Sequence, residues 1–288
     1  MKRFLLFGAT NMAVIFVLTI MLRILGVDQY LGTDMTNILV FSFAVGMVGA
    51  FISLFMSKSS ALRSTGAKVI TTPSNDVEAW LVSSVQRFAN ESGIKMPDVA
   101  IYESSDVNAF ATGAKKNDAL VAVSTGLLQN MDRQSVEGVL AHEVAHVANG
   151  DMVTMTLLQG ILNTFVIFVA RMIGQMVDGN RGRGIGYFVT YMIAQTVLGF
   201  FAEIIKSWFS RQREFRADAG AASMAGRGHM IGALQRLQQV HQPAALPKQM
   251  QAMGISGLVP KNWRKLFSTH PPLEERIARL QNLDNTVR

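Results

Sequence analysis

The 288-residue chain has no cysteine, only five histidines, and charged residues over just 16% of its length. The first absence excludes disulfides and thiolate metal ligands, and it is compatible with a reducing compartment. The second leaves few imidazoles for a metal site or for proton transfer. The scarcity of charge, beside 49% hydrophobic residues and a positive mean hydropathy, is unusual for a soluble enzyme and common for a membrane protein. The charge that remains is net positive, +7, without a stripe of interleaved aromatic and basic residues. It reads as attraction to a lipid bilayer surface and not as a nucleic-acid footprint. The 17 methionines read as lipid-facing and core filler.

Residues 4–22, 37–57, 152–170 and 184–202 carry no charge. Each run is long enough to cross a hydrocarbon core as a helix. The first follows Lys2 and Arg3 as a signal peptide would, but it is too long and lacks a small-residue cleavage site before Arg23, so it reads as a retained anchor. Lys2 and Arg3 place the N-terminus in the cytoplasm. The link 26–36 has Asp28 and Asp34 but no basic residue and faces outward, and Lys58, Arg63 and Lys68 return the chain to the cytoplasm. The expected organisation is two transmembrane helices in 1–57, a first cytoplasmic catalytic part in 58–151, a hydrophobic hairpin in 152–205 and a second cytoplasmic part in 206–288. Arg171, Arg181 and Arg183 near the hairpin turn argue for a hairpin that only dips into the membrane. The length of both runs and the returning basic cluster Lys206, Arg211 and Arg213 favour two full crossings.

The stretch "VLAHEVAHVANGDM" holds two histidines one helical turn apart. Residues 135–149 are rich in Ala, Val, Leu and Glu and are followed by Gly150, which predicts a helix with a glycine C-terminus. On that helix His142 and His146 share a face and can converge on one metal ion, with Glu143 placed to take a proton from an attacking water. This is the H-E-x-x-H arrangement of zinc hydrolases. A catalytic zinc needs a third protein ligand, and the extension H-E-x-x-H-x-x-G-x-x-H fails, because Asn149 and Met152 stand where its glycine and histidine belong. His229, His241, His270 or a carboxylate remain. The strongest candidate lies in "SRQREFRADAGAA", where Glu214 could ligate zinc while Asp218, one turn on, accepts a hydrogen bond from the outer nitrogen of a ligand histidine. By itself the stretch reads rather as a solvated helix with an acid pair among Lys206, Arg211, Arg213 and Arg216.

The motifs "NAFATGA", "LVAVSTGLLQNM", "AHEVAHVANGDMVTMTLLQG", "FSRQREFRADAG" and "THPPLEERI" occur in this order. In this the chain resembles the HtpX type of membrane zinc metalloprotease, a relative of the CAAX prenyl proteases, over nearly its whole length. The resemblance implies Glu214 as third zinc ligand, Asp218 behind it, one Zn2+ per chain, and a multi-pass protein of the bacterial inner membrane with its active site facing the cytoplasm. It further implies polypeptide substrates, damaged or misassembled membrane proteins, cleaved in protein quality control. The expected fold is a predominantly α-helical integral membrane protein with a zincin-type α+β catalytic domain, a small β-hairpin or sheet lying beside the H-E-x-x-H helix.

Other stretches could carry chemistry. An amphipathic helix is predicted after Pro73, with Val77, Leu81, Val85 and Phe88 on one face. Residues 108–126 alternate like a β-hairpin turning at Lys115 to Asp118. Its first strand, Asn108, Ala109, Phe110, Ala111 and Thr112, either covers the active-site helix or forms an edge onto which an unfolded substrate adds through backbone hydrogen bonds. In related proteases this motif borders the cleft. Pro271 and Pro272 suit the first turn of a helix bearing Leu273, Ile277 and Leu280. His270 before them, or Arg276, could steady the oxyanion formed at the peptide carbonyl. His229 and His241, on a helix with Ile231, Leu234 and Leu237, read as structural or solvated.

The two rival classes are a catalytically silent zinc-binding membrane scaffold and a membrane zinc carrier. A scaffold has no use for Glu143, which is not a ligand. A carrier would need polar ligands inside the spans, and the uncharged runs contain no His, Asp or Glu.

Overall fold

The computed structural model describes residues 34–177, 184–240 and 268–282. The expected anchor at 4–22, the turn holding Arg181 and Arg183, and His241 lie outside the described residues. The chain divides into two compact units, Met1–Ser53 with Met155–Lys206, and Leu54–Thr154 with Ser207–Arg288.

In the first unit lie parts of three long helices: α1 (Asp34–Thr65), α5 (Asp151–Val177) and α6 (Ile185–Met224). Each is long and apolar enough to cross a membrane. At 1.5 Å per residue even the 27 residues of α5 exceed a hydrocarbon core of about 30 Å. α1 and α5 approach through small residues: a side chain at Gly46 would meet the Thr164 hydroxyl at 2.6 Å, and one at Gly160 would meet the Met47 sulfur at 2.6 Å. This suits helices surrounded by lipid, where close backbone approach replaces the hydrophobic driving force. Ile38 and Leu39 pack on Phe168, and the Arg171 guanidinium lies 4.1 Å from the centre of the Phe41 ring. By contrast Phe188, Met192, Ile193, Phe200 and Phe201 of α6 are exposed.

The second unit is built around a four-stranded sheet and a buried helix. The strands are β1 (Lys68–Val69), β2 (Asp98–Tyr102), β3 (Ala109–Lys115) and β4 (Asp118–Ser124), in the order β1-β2-β4-β3. β2 and β4 are parallel, and the β3–β4 hairpin turns between Lys115 and Asp118, as the sequence predicts. Gly113, at φ 145° with Asp118 O only 2.5 Å from where a Cβ would sit, accommodates the bulge in this hairpin. β4 is buried on both faces by its two-residue period: Leu120 and Ala122 meet Ala100 and Tyr102, while Val121 and Val123 enter the main core. Among the described residues β3 pairs with β4 alone and lies at the edge of the sheet.

Helix α2 (Asp76–Glu91) begins where the Asn75 side chain accepts from the Glu78 amide and Glu78 accepts from the Ser74 amide, a reciprocal cap. It buries Leu81, Val85 and Phe88. Val77, expected on that face, is 42% exposed instead, because the first turn projects beyond the core. After the short α3 (Thr125–Asn130), the central α4 (Arg133–Asn149) starts at Asp132, whose carboxylate accepts from the Ser135 amide, and stops at Gly150 in the left-handed conformation, φ 68°. α7 (Arg227–Val240) crosses α4 so closely that a Cβ on Gly138 would lie 2.6 Å from the His229 carbonyl. α8 (Leu273–Gln281) closes the unit with Leu280 buried, and it starts after both prolines, with Pro272 as its cap, not with prolines inside its first turn.

α6 is continuous for 40 residues, so the apolar run 184–202 and the stretch with Glu214 and Asp218 belong to one helix. Nothing within the stretch 200–212 breaks it: it contains neither glycine nor proline.

Candidate metal centre

Packing brings the candidate residues together. α6 meets α4 through small side chains, with Ala217 and Ala221 fully buried and Gly220 leaving a Cβ only 3.0 Å from that of Ala145. This closeness lets Glu214 reach the two α4 histidines. His142 Nε2 and His146 Nε2 are 3.1 Å apart, and Glu214 places Oε2 3.5 Å from the first and Oε1 3.3 Å from the second. One donor atom from each of the three buried side chains lies within 4.8 Å of the others.

The outer ring nitrogens are held as well. His142 Nδ1 lies 3.0 Å from Asp218 Oδ1, and His146 Nδ1 donates to Asp151 Oδ2 at 2.7 Å. A carboxylate on each Nδ1–H fixes the tautomer that leaves the Nε2 lone pair facing the cluster. Two lone pairs and a carboxylate so disposed fit a cation between them. Without a metal, protons fill that role: burial disfavours the charged form of His146, yet its hydrogen bonds to Asp151 and Glu214 outweigh this and raise its pKa to about 10. For His142 burial is likewise opposed and outweighed by hydrogen bonds to Asp218 and Glu214, and its pKa also rises.

Arg276 anchors the far side. It is 6% exposed and donates Nε to Asp218 Oδ2 at 2.8 Å and Nη2 to Oδ1 at 2.6 Å, with Nη1 3.5 Å from Glu214 Oε2. Burial would lower its pKa, but the hydrogen bond and charge of Asp218 raise it. His270 is 65% exposed at the side chain and donates from Nδ1 to Glu214 Oε2 at 2.8 Å. The backbone before it is tied down by Arg211, which donates to the Ser268 carbonyl at 2.8 Å.

A cleft of about 680 Å³ opens on the cluster. His142, Glu143, Glu214, His270 and Arg276 line it on one side, with Asn108 and Ala109 of the edge-strand segment at its border. Leu127, Val139, Met230, Leu234 and Leu237 form an apolar wall. Glu143 faces this cleft partly buried, and burial raises its pKa, a tendency the neighbouring histidines reduce. Phe110, Ala111 and Thr112 continue along β3. His229 stays apart from the cluster, its Nδ1 3.7 Å from Glu137.

Asp151 was not among the residues that sequence reasoning singled out. A signal was present: it is the acid that separates the His146 helix from the uncharged run 152–170, just past Gly150.

Residues 75–284 match Peptidase family M48. The chain belongs to this family. It is 56% identical to "Protease HtpX homolog" of Nitrosomonas europaea, an alignment covering 98% of this chain and 99% of that protein. It is 55% identical to "Protease HtpX" of Stenotrophomonas maltophilia, covering 97% of each. The expected HtpX-type resemblance is thereby borne out, and the M48 chain is a membrane metalloprotease. Its fold is similar to that in the crystal structure of S. mikatae Ste24p, with a TM-score of 0.61 at 20% identity, covering 96% of this chain and 67% of that one. The expected helical membrane fold with a small sheet beside the H-E-x-x-H helix is found.

Proposed function

We propose that this M48 chain is a zinc-dependent endopeptidase that cuts damaged or misassembled membrane proteins on the cytoplasmic side of a bacterial inner membrane. The observation that carries the reading is the meeting of His142, His146 and Glu214 beside Glu143 at the wall of an open cleft. Two imidazoles and a carboxylate are a donor set that zinc accepts with a coordination position left open. Bound there, zinc would act as a Lewis acid on the scissile carbonyl and make a water acidic near neutral pH.

In this reading, Glu143 takes the proton of the attacking water and delivers it to the leaving amine. Burial raises its pKa, which makes it a stronger base toward that water than an ordinary exposed carboxylate. Asp218 orients His142. Arg276, with two nitrogens occupied by Asp218, serves to hold that carboxylate and Glu214, and the exposed His270 is the better oxyanion donor of the two. The outer edge of β3 with the preceding Asn108, residues Asn108 to Thr112, takes up an extended substrate through backbone hydrogen bonds, which makes recognition tolerant of sequence. The apolar wall favours a large apolar side chain next to the scissile bond, which supports membrane proteins as the substrate class. Basic flanks at Lys58, Arg63 and Lys68 support the cytoplasmic orientation.

The test is Glu143→Gln in the purified full chain. Metal content stays at the wild-type level while peptide cleavage falls by about 10²- to 10⁴-fold, the usual contribution of a general base. A variant that cleaves at the wild-type rate would refute the mechanism, and a silent scaffold predicts no cleavage by either protein.

A further inference from the structure

We propose that Asp151 is a positioning residue of the metal site, holding His146 in its metal-facing orientation from the first turn of α5. The inference rests on the metal site proposed above.

The geometry follows from one glycine. His146 sits in the last turn of α4, and Gly150, at φ 68°, ends that helix by donating its amide to the His146 and Val147 carbonyls. The reversal is so tight that α5 begins at the next residue, and its first side chain turns back onto the helix just left. The Asp151 carboxylate is 1% exposed, and a charge so buried needs a partner. Its partner is His146 Nδ1 at 2.7 Å. The backbone at the same position is fixed from a second direction, because Arg213, the neighbour of Glu214 on α6, directs Nη1 at the Asp151 carbonyl at 3.4 Å.

A symmetry of function results. Asp218 on α6 holds His142, and Asp151 on α5 holds His146. Both histidines of α4 are thus oriented by carboxylates from other helices, Asp151 at the start of α5 and Asp218 in the C-terminal part of α6. An imidazole freed from such a carboxylate can rotate about its side-chain bonds, and its Nε2 then spends less time on the metal.

The experiment measures zinc affinity of the full chain in detergent, by competition with a chromophoric chelator, for wild type, Asp151→Asn, Asp151→Glu and Asp132→Ala. Asp151→Asn is expected to bind zinc about 10- to 100-fold more weakly, the usual loss when a ligand histidine loses its carboxylate, with Asp151→Glu recovering part of it. The Asp132→Ala variant removes the cap of α4 and lowers the thermal midpoint but leaves zinc affinity unchanged, which separates positioning from general stability. Wild-type affinity in Asp151→Asn would overturn the inference. A Glu214→Ala variant that binds zinc as tightly as the wild type would instead defeat the site reading on which it rests. Should Asp151→Asn not fold, ring ¹⁵N spectra of the zinc-loaded wild type decide: a protonated, strongly hydrogen-bonded Nδ1 on His146 is expected, and a metallated or solvent-bonded Nδ1 overturns the proposal.

Discussion

His142 Nε2 and His146 Nε2 stand 3.1 Å apart, one helical turn from each other on α4, with the Glu214 carboxylate of α6 spanning both. Two ring nitrogens at that distance need a proton or a metal cation between them, since two facing lone pairs repel. The site is therefore built to hold either protons or a metal, and its behaviour should depend on which is present.

Removal of the spanning carboxylate should empty the site. Glu214→Ala is expected to lose its metal on dialysis, while Glu203→Ala, eleven residues earlier on the same helix and paired with Lys206 at 2.6 Å, should retain it. Asp218→Asn should fall between them, with about a 10- to 100-fold loss of affinity, since the ligands remain and only the hold on His142 is weakened. Metal analysis after dialysis checks all three. Equal retention in Glu214→Ala and Glu203→Ala would reopen the choice of third ligand, and complete loss in Asp218→Asn would make that aspartate a ligand.

The competition between proton and metal sets a pH dependence. In the metal-free chain the pKa of His146 is raised to about 10, so the unfolded chain loses its proton first as pH rises. The stabilisation from this pair is fully present below the ordinary histidine pKa of about 6.5 and is lost as pH rises through about 10. The thermal midpoint of the metal-free chain should fall between those values. Zinc affinity should move the opposite way and increase with pH, because each ligand proton displaced is a cost that vanishes on deprotonation. Zinc titrations at pH 6.5, 7.5 and 8.5 give the sign directly, and an affinity independent of pH would contradict it.

The orientation in the membrane can be read with single cysteines, since the chain has none of its own. Ser59→Cys, Gln129→Cys and Gln235→Cys are all at exposed positions. In intact cells they should resist a membrane-impermeant thiol reagent and react after lysis. Ser59 lies in the basic last part of α1, between Lys58 and Arg63, while Gln129 and Gln235 belong to the unit that holds the metal site. Labelling of Gln129→Cys from outside in intact cells would reverse the proposed topology. A cysteine at Gly182 tests the hairpin: labelling from outside supports two full crossings, and protection until lysis supports the shallow alternative.

Local periodicity explains what could be read in advance. The helix of His142 and His146 ends where Gly150 predicts, because C-terminal glycines are chosen for local backbone reasons. The hairpin 108–126 turns at Lys115 to Asp118 for the same kind of reason. The long helices at 37–57, 152–170 and 184–202 follow from composition alone, since a charge-free run of that length has few other fates. Val77 departs from its expected burial because helical spacing says which residues share a face but not where along the helix that face stops being covered.

The sequence by itself determined the helix that pairs His142 with His146, the place of Glu143 beside them, the apolar spans and, through its ordered motifs, the protease family. Tertiary structure alone decided which distant groups meet: Glu214, 68 residues beyond His146, reaches both histidines because Ala145, Ala217, Gly220 and Ala221 let α6 lie close on α4. It alone engaged Arg276 on Asp218, and it alone turned the Asp151 carboxylate back onto His146. Local propensities fix the path of the backbone over a few residues, whereas the meeting of buried charges depends on how closely helices far apart in sequence can pack, and that distance is set only when the whole core is assembled.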